Sequence, residues 1–192
     1  MLTDQFNIIQ LHVYARLNDL SSHLTYHDRK HTADVIQQSA RIAMEEGVLD
    51  ETELYLLKIA ALYHDTGFLR TYKGHEKESC LIFLEDQYTF KFSEKDQVII
   101  TDLINVTQLP QKPTTTLEKI ICDADLDYLG RDDFFVLAGE LKKEFLHFNV
   151  VSDDKEWETL QINFLTSHSY HTQTSQNHRN PVKQQHYSRL IK

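Results

Sequence analysis

The chain is short of the residues that interrupt helices. It has five glycines and three prolines in 192 residues, and this scarcity argues against a loop-rich or all-β fold. No stretch approaches the roughly 18 consecutive apolar residues of a membrane-spanning helix. The first residues carry neither the basic start nor the apolar run of a secretory signal, so a cytoplasmic protein is expected.

Cysteine is equally scarce. The two residues, Cys80 and Cys122, lie far apart within apolar helical patterns, and no Cys-x-x-Cys spacing suggests a structural zinc site. Free cysteine is among the most buried residue types, so both are expected to be buried thiols.

Positive charge is in deficit, with 29 acidic residues against 20 basic ones and a net charge of −9. Such a field repels nucleic acids and anionic membranes, so neither is expected as a partner. A small phosphorylated substrate stays compatible, provided that a bound cation and local basic residues reverse the sign inside its pocket. The composition leaves a homo-oligomer open.

Apolar residues recur at helical spacing almost throughout the chain. Phe6, Ile9 and Val13 step by three and four, as on one face of a helix. Asp50 and Ser93 are suited to cap two later helices. No alternating run is long enough for a strand, so the expected fold is an all-α bundle of about eight to nine helices.

The chain reads as one domain over residues 1–192, since its length and 41% hydrophobic content suffice for one core. The functional motifs lie within residues 26–130, and residues 131–192 hold further helices and a polar tail. Over residues 167–186 this tail is rich in His, Thr, Gln and Asn. Such composition predicts either a frayed end or a loop held by side-chain hydrogen bonds.

Three polar segments stand out in this helical pattern. They are residues 26–31, YHDRKH; residues 63–67, YHDTG; and residues 123–127, DADLD. Neutral imidazole nitrogens and carboxylate oxygens suit a borderline or hard divalent ion when no thiolate is offered. If the helices converge, the segments can hold a metal that makes hydroxide from water near neutral pH, which indicates a hydrolase.

Two of these polar residues coincide with apolar helical stripes. At about 100° per residue, His31 falls on the same face as Ile42. Asp65 continues a stripe that includes Ala61, with His64 at its flank. A carboxylate on a core-facing stripe is costly unless it is paired or bound to a metal. This cost makes Asp65 the strongest candidate ligand from the residues alone.

The third segment offers three carboxylates. On the helical wheel Asp125 and Asp127 lie about 80° to either side of the apolar centre, and Asp123 lies about 120° away. Asp125 or Asp127 can therefore turn into a buried site more easily than Asp123, and Asp125 is preferred. Asp123 and Asp127 are expected to be solvated or to pair with Lys119 and Arg131.

The ordered combination of motifs resembles the HD superfamily of metal-dependent phosphohydrolases, whose mark is H…HD…D on a helical domain. The resemblance covers residues 26–130 and implies an HD-type helical bundle that hydrolyses a small phosphoester, with nucleotides as expected substrates. It also implies the ligands of one divalent ion: His31, His64, Asp65 and Asp125. Asp125 matches the Asp of the family's Ala-Asp-x-Leu. Mn, Mg, Fe, Co, Ni and Zn all suit this mixed set.

Further catalytic and binding roles come from the same resemblance. In the cyclic-nucleotide phosphodiesterase branch, the first His of a Tyr-His-Asn-x-x-His segment donates a proton to the leaving oxygen. His27 holds that position here, although Asp28 replaces the Asn. Asp65 is expected to orient the attacking water as well as to ligate the metal. His75 lies in a Gly-His-Glu segment that resembles one of the superfamily, and it is expected to bind substrate. Lys73, two residues before it, is expected to do the same on a different ground, since phosphate recognition needs positively charged donors.

The sequence favours one metal over two. Two-metal members carry additional histidines on the next helix, where this chain reads INVT over residues 104–107. Two alternatives to a nucleotide hydrolase stay open. One is a cyclic-nucleotide phosphodiesterase, which requires His27 in the pocket. The other is a non-catalytic signalling module that binds metal or nucleotide.

Overall fold

The computed structural model describes residues 2–192, and its architecture is the all-α fold that the sequence predicts. Within these residues there are ten α-helices, two 3-10 helices and no strand. The α-helices are α1 (Leu2–Leu17), α2 (Arg29–Glu45), α3 (Glu51–Tyr63), α4 (His75–Phe90), α5 (Glu94–Asn105), α6 (Thr116–Asp125), α7 (Phe134–His147), α8 (Asp154–Ser167), α9 (Gln173–His178) and α10 (Asn180–Leu190). The 3-10 helices are Thr66–Leu69 and Asp127–Gly130.

Side-chain caps set the starts of several helices. Asp28 precedes α2, and its Oδ1 accepts a hydrogen bond from the backbone N–H of His31 at 3.0 Å. Thr115 begins α6 with a reciprocal capping box. The predicted caps Asp50 and Ser93 are confirmed, since each side chain accepts from backbone amides of the following turn. These caps explain why the helix starts are readable from the sequence.

Two apolar clusters fill the interior. The larger cluster is formed by side chains of the six helices α1 through α6. The smaller one is formed by α7, α8 and α10 together with Tyr26 and the segment that follows α6. Helix α2 packs against both α3 and α6. Its first turn meets the ends of those two helices, because His31 contacts both Asp65 and Asp125. The partial negative charge of C-terminal helix ends favours a cation at this junction.

The polar tail is helical, so the expectation of a frayed end or a loop is wrong for most of it. Residues 168–172 form a loop, and α9 and α10 follow it. Two carboxylates hold this tail to the body of the protein. Asp123 Oδ2 accepts from the backbone N–H of Thr172 at 2.8 Å, and Asp127 Oδ1 accepts from Arg179 Nε at 2.9 Å. The two additional helices bring the number above eight or nine.

The predicted solvation of Asp123 and Asp127 is also wrong, since both are fully buried. Asp127 does approach Arg131, at 3.7 Å, but its shorter contacts are with Arg41 at 2.8 Å and Arg179 at 2.9 Å. The tail packs over both carboxylates and supplies donors to them. A helical wheel describes only one helix and its own apolar face, so it misses burial by a remote segment.

The two cysteines are buried and free, as expected. The Sγ atoms of Cys80 and Cys122 lie 3.5 and 3.4 Å from the backbone oxygens of Thr101 and Val106. Burial raises the pKa of the Cys80 thiol to about 11. Over residues 2–192, the helices lack the combination of length and apolar character that crossing a bilayer requires.

Candidate metal centre

Four side-chain donor atoms converge where α2 meets the ends of α3 and α6. They are Nε2 of His31, Nε2 of His64, Oδ2 of Asp65 and Oδ1 of Asp125. The His31 nitrogen lies 3.3 Å from each carboxylate oxygen, and the His64 nitrogen lies 3.2 and 3.6 Å from them. The two nitrogens are 3.3 Å apart. Ligands about 2.1 Å from a shared ion lie roughly 3 to 3.5 Å apart. The donor atoms of His31, His64 and Asp65 all lie within 4.8 Å of one another and fit a metal site, and Asp125 lies beside its two histidines.

The hydrogen bonds around the donors leave their lone pairs free for a cation. His64 Nδ1 donates to the backbone oxygen of Ala61 at 2.8 Å, so Nε2 is the ring nitrogen that is directed to the cluster and available to a metal. Asp65 Oδ2 is buried and has no hydrogen-bond partner. A buried carboxylate oxygen without a donor is costly. A divalent ion between these atoms would satisfy it, so the residues present fit a metal.

The electrostatics of the cluster favour positive charge between its two carboxylates. Burial acts to lower the pKa of His31, but the contacts with Asp125 and Asp65 outweigh it and raise that pKa to about 9. Burial acts to raise the pKa of Asp125, yet the contacts with His31 and His64 lower it to about 2. The pKa of Asp65 is likewise held well below its usual range, against burial, by the charge of His64.

Asp65 directs its two oxygens to different neighbours. Oδ2 faces the cluster, and Oδ1 lies 3.2 Å from His75 Nε2. The ring of His75 stacks on Phe68 with centroids 3.9 Å apart, and His27 stacks on the same residue at 4.6 Å. The phenyl ring of Phe68 therefore sets the positions of two histidines beside the metal centre.

The segment after His64 is locked against α4 by close backbone packing. A Cβ on Gly67 would lie 1.9 Å from the backbone oxygen of His75, so only glycine fits this approach. Ser79 Oγ accepts from the backbone N–H of Gly67 at 2.8 Å and donates to the backbone oxygen of His64 at 2.6 Å. These contacts fix the segment that carries His64 and Asp65.

His27 is paired with Glu144, a residue that the sequence analysis missed. His27 Nδ1 lies 2.5 Å from Glu144 Oε1, and the Tyr72 hydroxyl donates to the same oxygen at 3.0 Å. Glu144 Oε2 accepts from the backbone N–H groups of Tyr26 and His27, each at 3.1 Å. Burial alone would raise the pKa of Glu144, but these hydrogen bonds, His27 first, lower it. The carboxylate is therefore ionised and orients the His27 ring.

A cavity of about 290 Å³ opens beside the cluster. Asp65, Asp125, His27 and His75 form its polar end, and side chains of α7 and α8 form most of the remaining wall. Lys73 is exposed and does not line the cavity, so the structure does not bring this predicted substrate-binding residue to the cluster. His27 and His75, in contrast, both face the space where a substrate would lie.

Comparison with known proteins agrees with this geometry. The sequence matches the family profile of the HD domain over residues 29–127, which is more than half of the 192-residue chain. Neither a curated protein nor a solved structure gives a significant match. The matched range contains all four converging donors, whereas His27, Glu144 and the α7–α8 wall of the cavity lie outside it.

Proposed function

The chain belongs to the HD-domain family of metal-dependent phosphohydrolases, and from this membership we propose that it hydrolyses a small phosphoester with one divalent ion. The proposed ligands are His31, His64, Asp65 and Asp125. The observation that carries the proposal is Asp65 Oδ2, which is buried without a hydrogen-bond partner and lies 3.3 and 3.2 Å from two imidazole nitrogens. Mn, Mg, Fe, Co, Ni and Zn all remain candidates. When bound, such an ion supplies Lewis acidity that lowers the pKa of water and offsets phosphoryl charge.

We assign the acid role to His27. It lines the cavity, and its Nδ1 is held by Glu144. This leaves Nε2 as the atom that passes a proton to the departing oxygen. Asp65 is proposed both to ligate the ion and to orient the attacking water, and His75, bound to its Oδ1, is proposed to contact the phosphate.

A cyclic-nucleotide phosphodiester is the second candidate substrate. That alternative requires His27 in the pocket, and His27 lines the cavity. A phosphodiesterase and a phosphomonoesterase would share the metal ligands and the acid. They differ in the product, because hydrolysis of a diester leaves one ester bond on phosphorus and hydrolysis of a monoester leaves none. Nucleotides as such remain a prediction from family resemblance.

The test begins with protein purified without chelator. Bound metals are measured by elemental analysis, and activity is assayed on p-nitrophenyl phosphate, bis-p-nitrophenyl phosphate and a panel of nucleotides. His64→Ala and Asp65→Ala are expected to lose the metal and to lower kcat/KM by at least about a hundredfold. His178→Ala is the control, because this histidine side chain is 63% exposed and lies outside the cluster.

Two results would contradict the proposal. Full metal content and activity in Asp65→Ala would exclude the assigned ligand set. Stoichiometric metal without hydrolysis of any ester in the panel would favour the alternative of a non-catalytic binding module.

A further inference from the structure

The cavity beside the metal centre has a wall whose chemistry differs from that of its polar end. Helices α7 and α8 form this wall, and seven of its side chains are aromatic or aliphatic: Phe134, Leu141, Phe145, Trp157, Leu160, Phe164 and Leu165. Trp157 and Phe145 meet edge to face with ring centroids 5.7 Å apart. The wall therefore offers apolar contact and exclusion of water to whatever part of the substrate extends beyond the phosphate.

Away from its polar end, the cavity as a whole gives a sugar or a base few hydrogen-bond partners. Among residues 2–192, Gln161 is the one amide side chain that lines the cavity, and Thr107, Tyr26 and Tyr128 contribute its hydroxyl groups. A nucleoside carries several ring nitrogens, amino groups and hydroxyls. Each of these costs affinity when it is buried without a hydrogen-bond partner. The bulk of a well-bound ligand must therefore be apolar.

Charge narrows the choice further. Within the described residues, no lysine or arginine lines the cavity, whereas Glu76 does. Glu76 is buried, and its Oε2 has no hydrogen-bond partner. A second phosphate or a carboxylate on the substrate would meet this acid with no lysine or arginine to balance it, since the neighbouring His75, 3.7 Å from Glu76, is engaged with Asp65. The cavity thus suits a ligand with one anionic group, placed at the metal.

The size of the cavity limits how much of a ligand it can enclose. Its volume of about 290 Å³ lies just below the range for small-molecule pockets, roughly 300–1,000 Å³. An alcohol with a short chain or a single aromatic ring is of this scale. A dinucleotide or a nucleoside triphosphate is too large to be enclosed and would extend into solvent.

From this wall we infer that the substrate is the monophosphate ester of a small, neutral, largely apolar alcohol. The inference rests on the proposed phosphohydrolase function and deepens it. In the reaction the water oxygen bonds to phosphorus, the P–O bond to the alcohol breaks, and the alcohol oxygen takes the proton of His27. The proton lost by the water restores that of His27. The products are inorganic phosphate and the free alcohol.

The chain's only tryptophan is Trp157, so its fluorescence reports directly on the wall. The metal-loaded protein is titrated with n-alkyl phosphonates from ethyl to octyl, and hydrolysis of the matching n-alkyl phosphates is followed by phosphate release. Burial of one methylene corresponds to about three- to fourfold in affinity. Affinity and kcat/KM are therefore expected to rise by that factor per methylene until the cavity is filled. AMP and ATP are expected to bind at least about tenfold more weakly than the hexyl compound.

A pair of leucine variants tests the assignment to the wall. Leu160→Ala is expected to weaken hexyl phosphonate by about tenfold and ethyl phosphonate by less than about twofold. Leu81→Ala is the control, because Leu81 is 48% exposed on α4 and does not line the cavity. Circular dichroism of both variants confirms that they are folded before titration.

The possible outcomes distinguish an error in the substrate class from an error in the proposed phosphohydrolase function. Hydrolysis without dependence on chain length, or with preference for nucleotides, would overturn the substrate class and leave the phosphohydrolase intact. Length-dependent binding without hydrolysis of any ester would overturn the proposed function and, with it, the substrate assignment.

Discussion

His27 Nδ1 lies 2.5 Å from Oε1 of Glu144, a carboxylate whose side chain is entirely buried. Glu144 does not line the cavity, so it can act on the reaction only by orienting His27. The carboxylate is held in turn by the Tyr72 hydroxyl and by two backbone amides. This relay makes Glu144 a positioning residue for the proposed acid.

Glu144→Gln is expected to lower kcat by about 10- to 100-fold with little change in KM. The reason is that loss of the hydrogen bond that orients a functional histidine typically lowers activity by that factor. Steady-state kinetics measure the split. Glu140→Gln on the same helix is the control, since Glu140 pairs with Lys143 at the surface. An equal effect on kcat in both variants would argue against the relay.

Asp127 anchors the C-terminal tail through a buried ionic contact with Arg41 and Arg179. Loss of a hydrogen bond to a charged group costs about 1.5–3 kcal/mol, and Asp127→Ala leaves the half-buried guanidinium groups of Arg41 and Arg179 without their acceptor. Asp127→Ala is therefore expected to lower the free energy of unfolding by that amount in urea denaturation. Asp133→Ala, which removes a 48% exposed partner of Arg131, is expected to cost at most about 1 kcal/mol. Similar losses in both variants would contradict the anchoring role.

Gly67→Ala is expected to destabilise the protein, since the added Cβ would meet the backbone oxygen of His75 at 1.9 Å. Overpacking of this kind costs about 1–3 kcal/mol. Gly139→Ala offers a matched comparison within α7, because nothing lies within 4 Å of its Cβ position. That variant is expected to gain about 0.5–1 kcal/mol from helix propensity. Thermal unfolding of the two variants should shift in opposite directions, and a shared direction would refute the argument.

The buried His168 is expected to make the protein less stable in acid. Burial, and next the charge of Lys183, lower the pKa of His168 to about 3. The unfolded chain titrates near 6.5, so below that pH it binds a proton that the folded protein does not. The free energy of unfolding therefore falls as the pH drops from about 6.5 toward 3, by at most about 1.4 kcal/mol per pH unit from this residue.

The measurement is urea denaturation of His168→Gln at pH 7, 6 and 5. The variant should lose less stability toward acid than the parent. His178→Gln removes a histidine with a 63% exposed side chain and should leave the slope unchanged. Parallel slopes in the parent and His168→Gln would show that His168 does not contribute.

Most helix starts and the convergence of four donors could be predicted because both follow local rules. Caps such as Asp50 act on the next turn of the same helix. His31 and Asp65 lie on apolar stripes, and burial of those stripes brings them together. The order of the motifs then matched a known superfamily, which added Asp125 to the set on grounds beyond periodicity.

The remaining residues could not be placed because their partners are remote in sequence. Asp123 is buried by the loop at Thr172, and no pattern in residues 123–127 predicts that contact. Glu144 is a different case. It follows Leu141 by three residues on the buried face of α7, which is the same kind of signal that singles out Asp65. The sequence therefore carries a signal for Glu144, a carboxylate on an apolar stripe.

The proposed metal ligands and the wall of the cavity occupy separate stretches of the chain. The four donors lie within residues 29–127, and the wall lies on α7 and α8, after that range. Substitutions in α7 and α8 can therefore change which alcohol fits while the chemistry is inherited intact. Selection can act on substrate choice and on catalysis almost independently. The exception is Glu144. It lies on α7 and contacts His27, so this residue must be kept even when the rest of the wall changes.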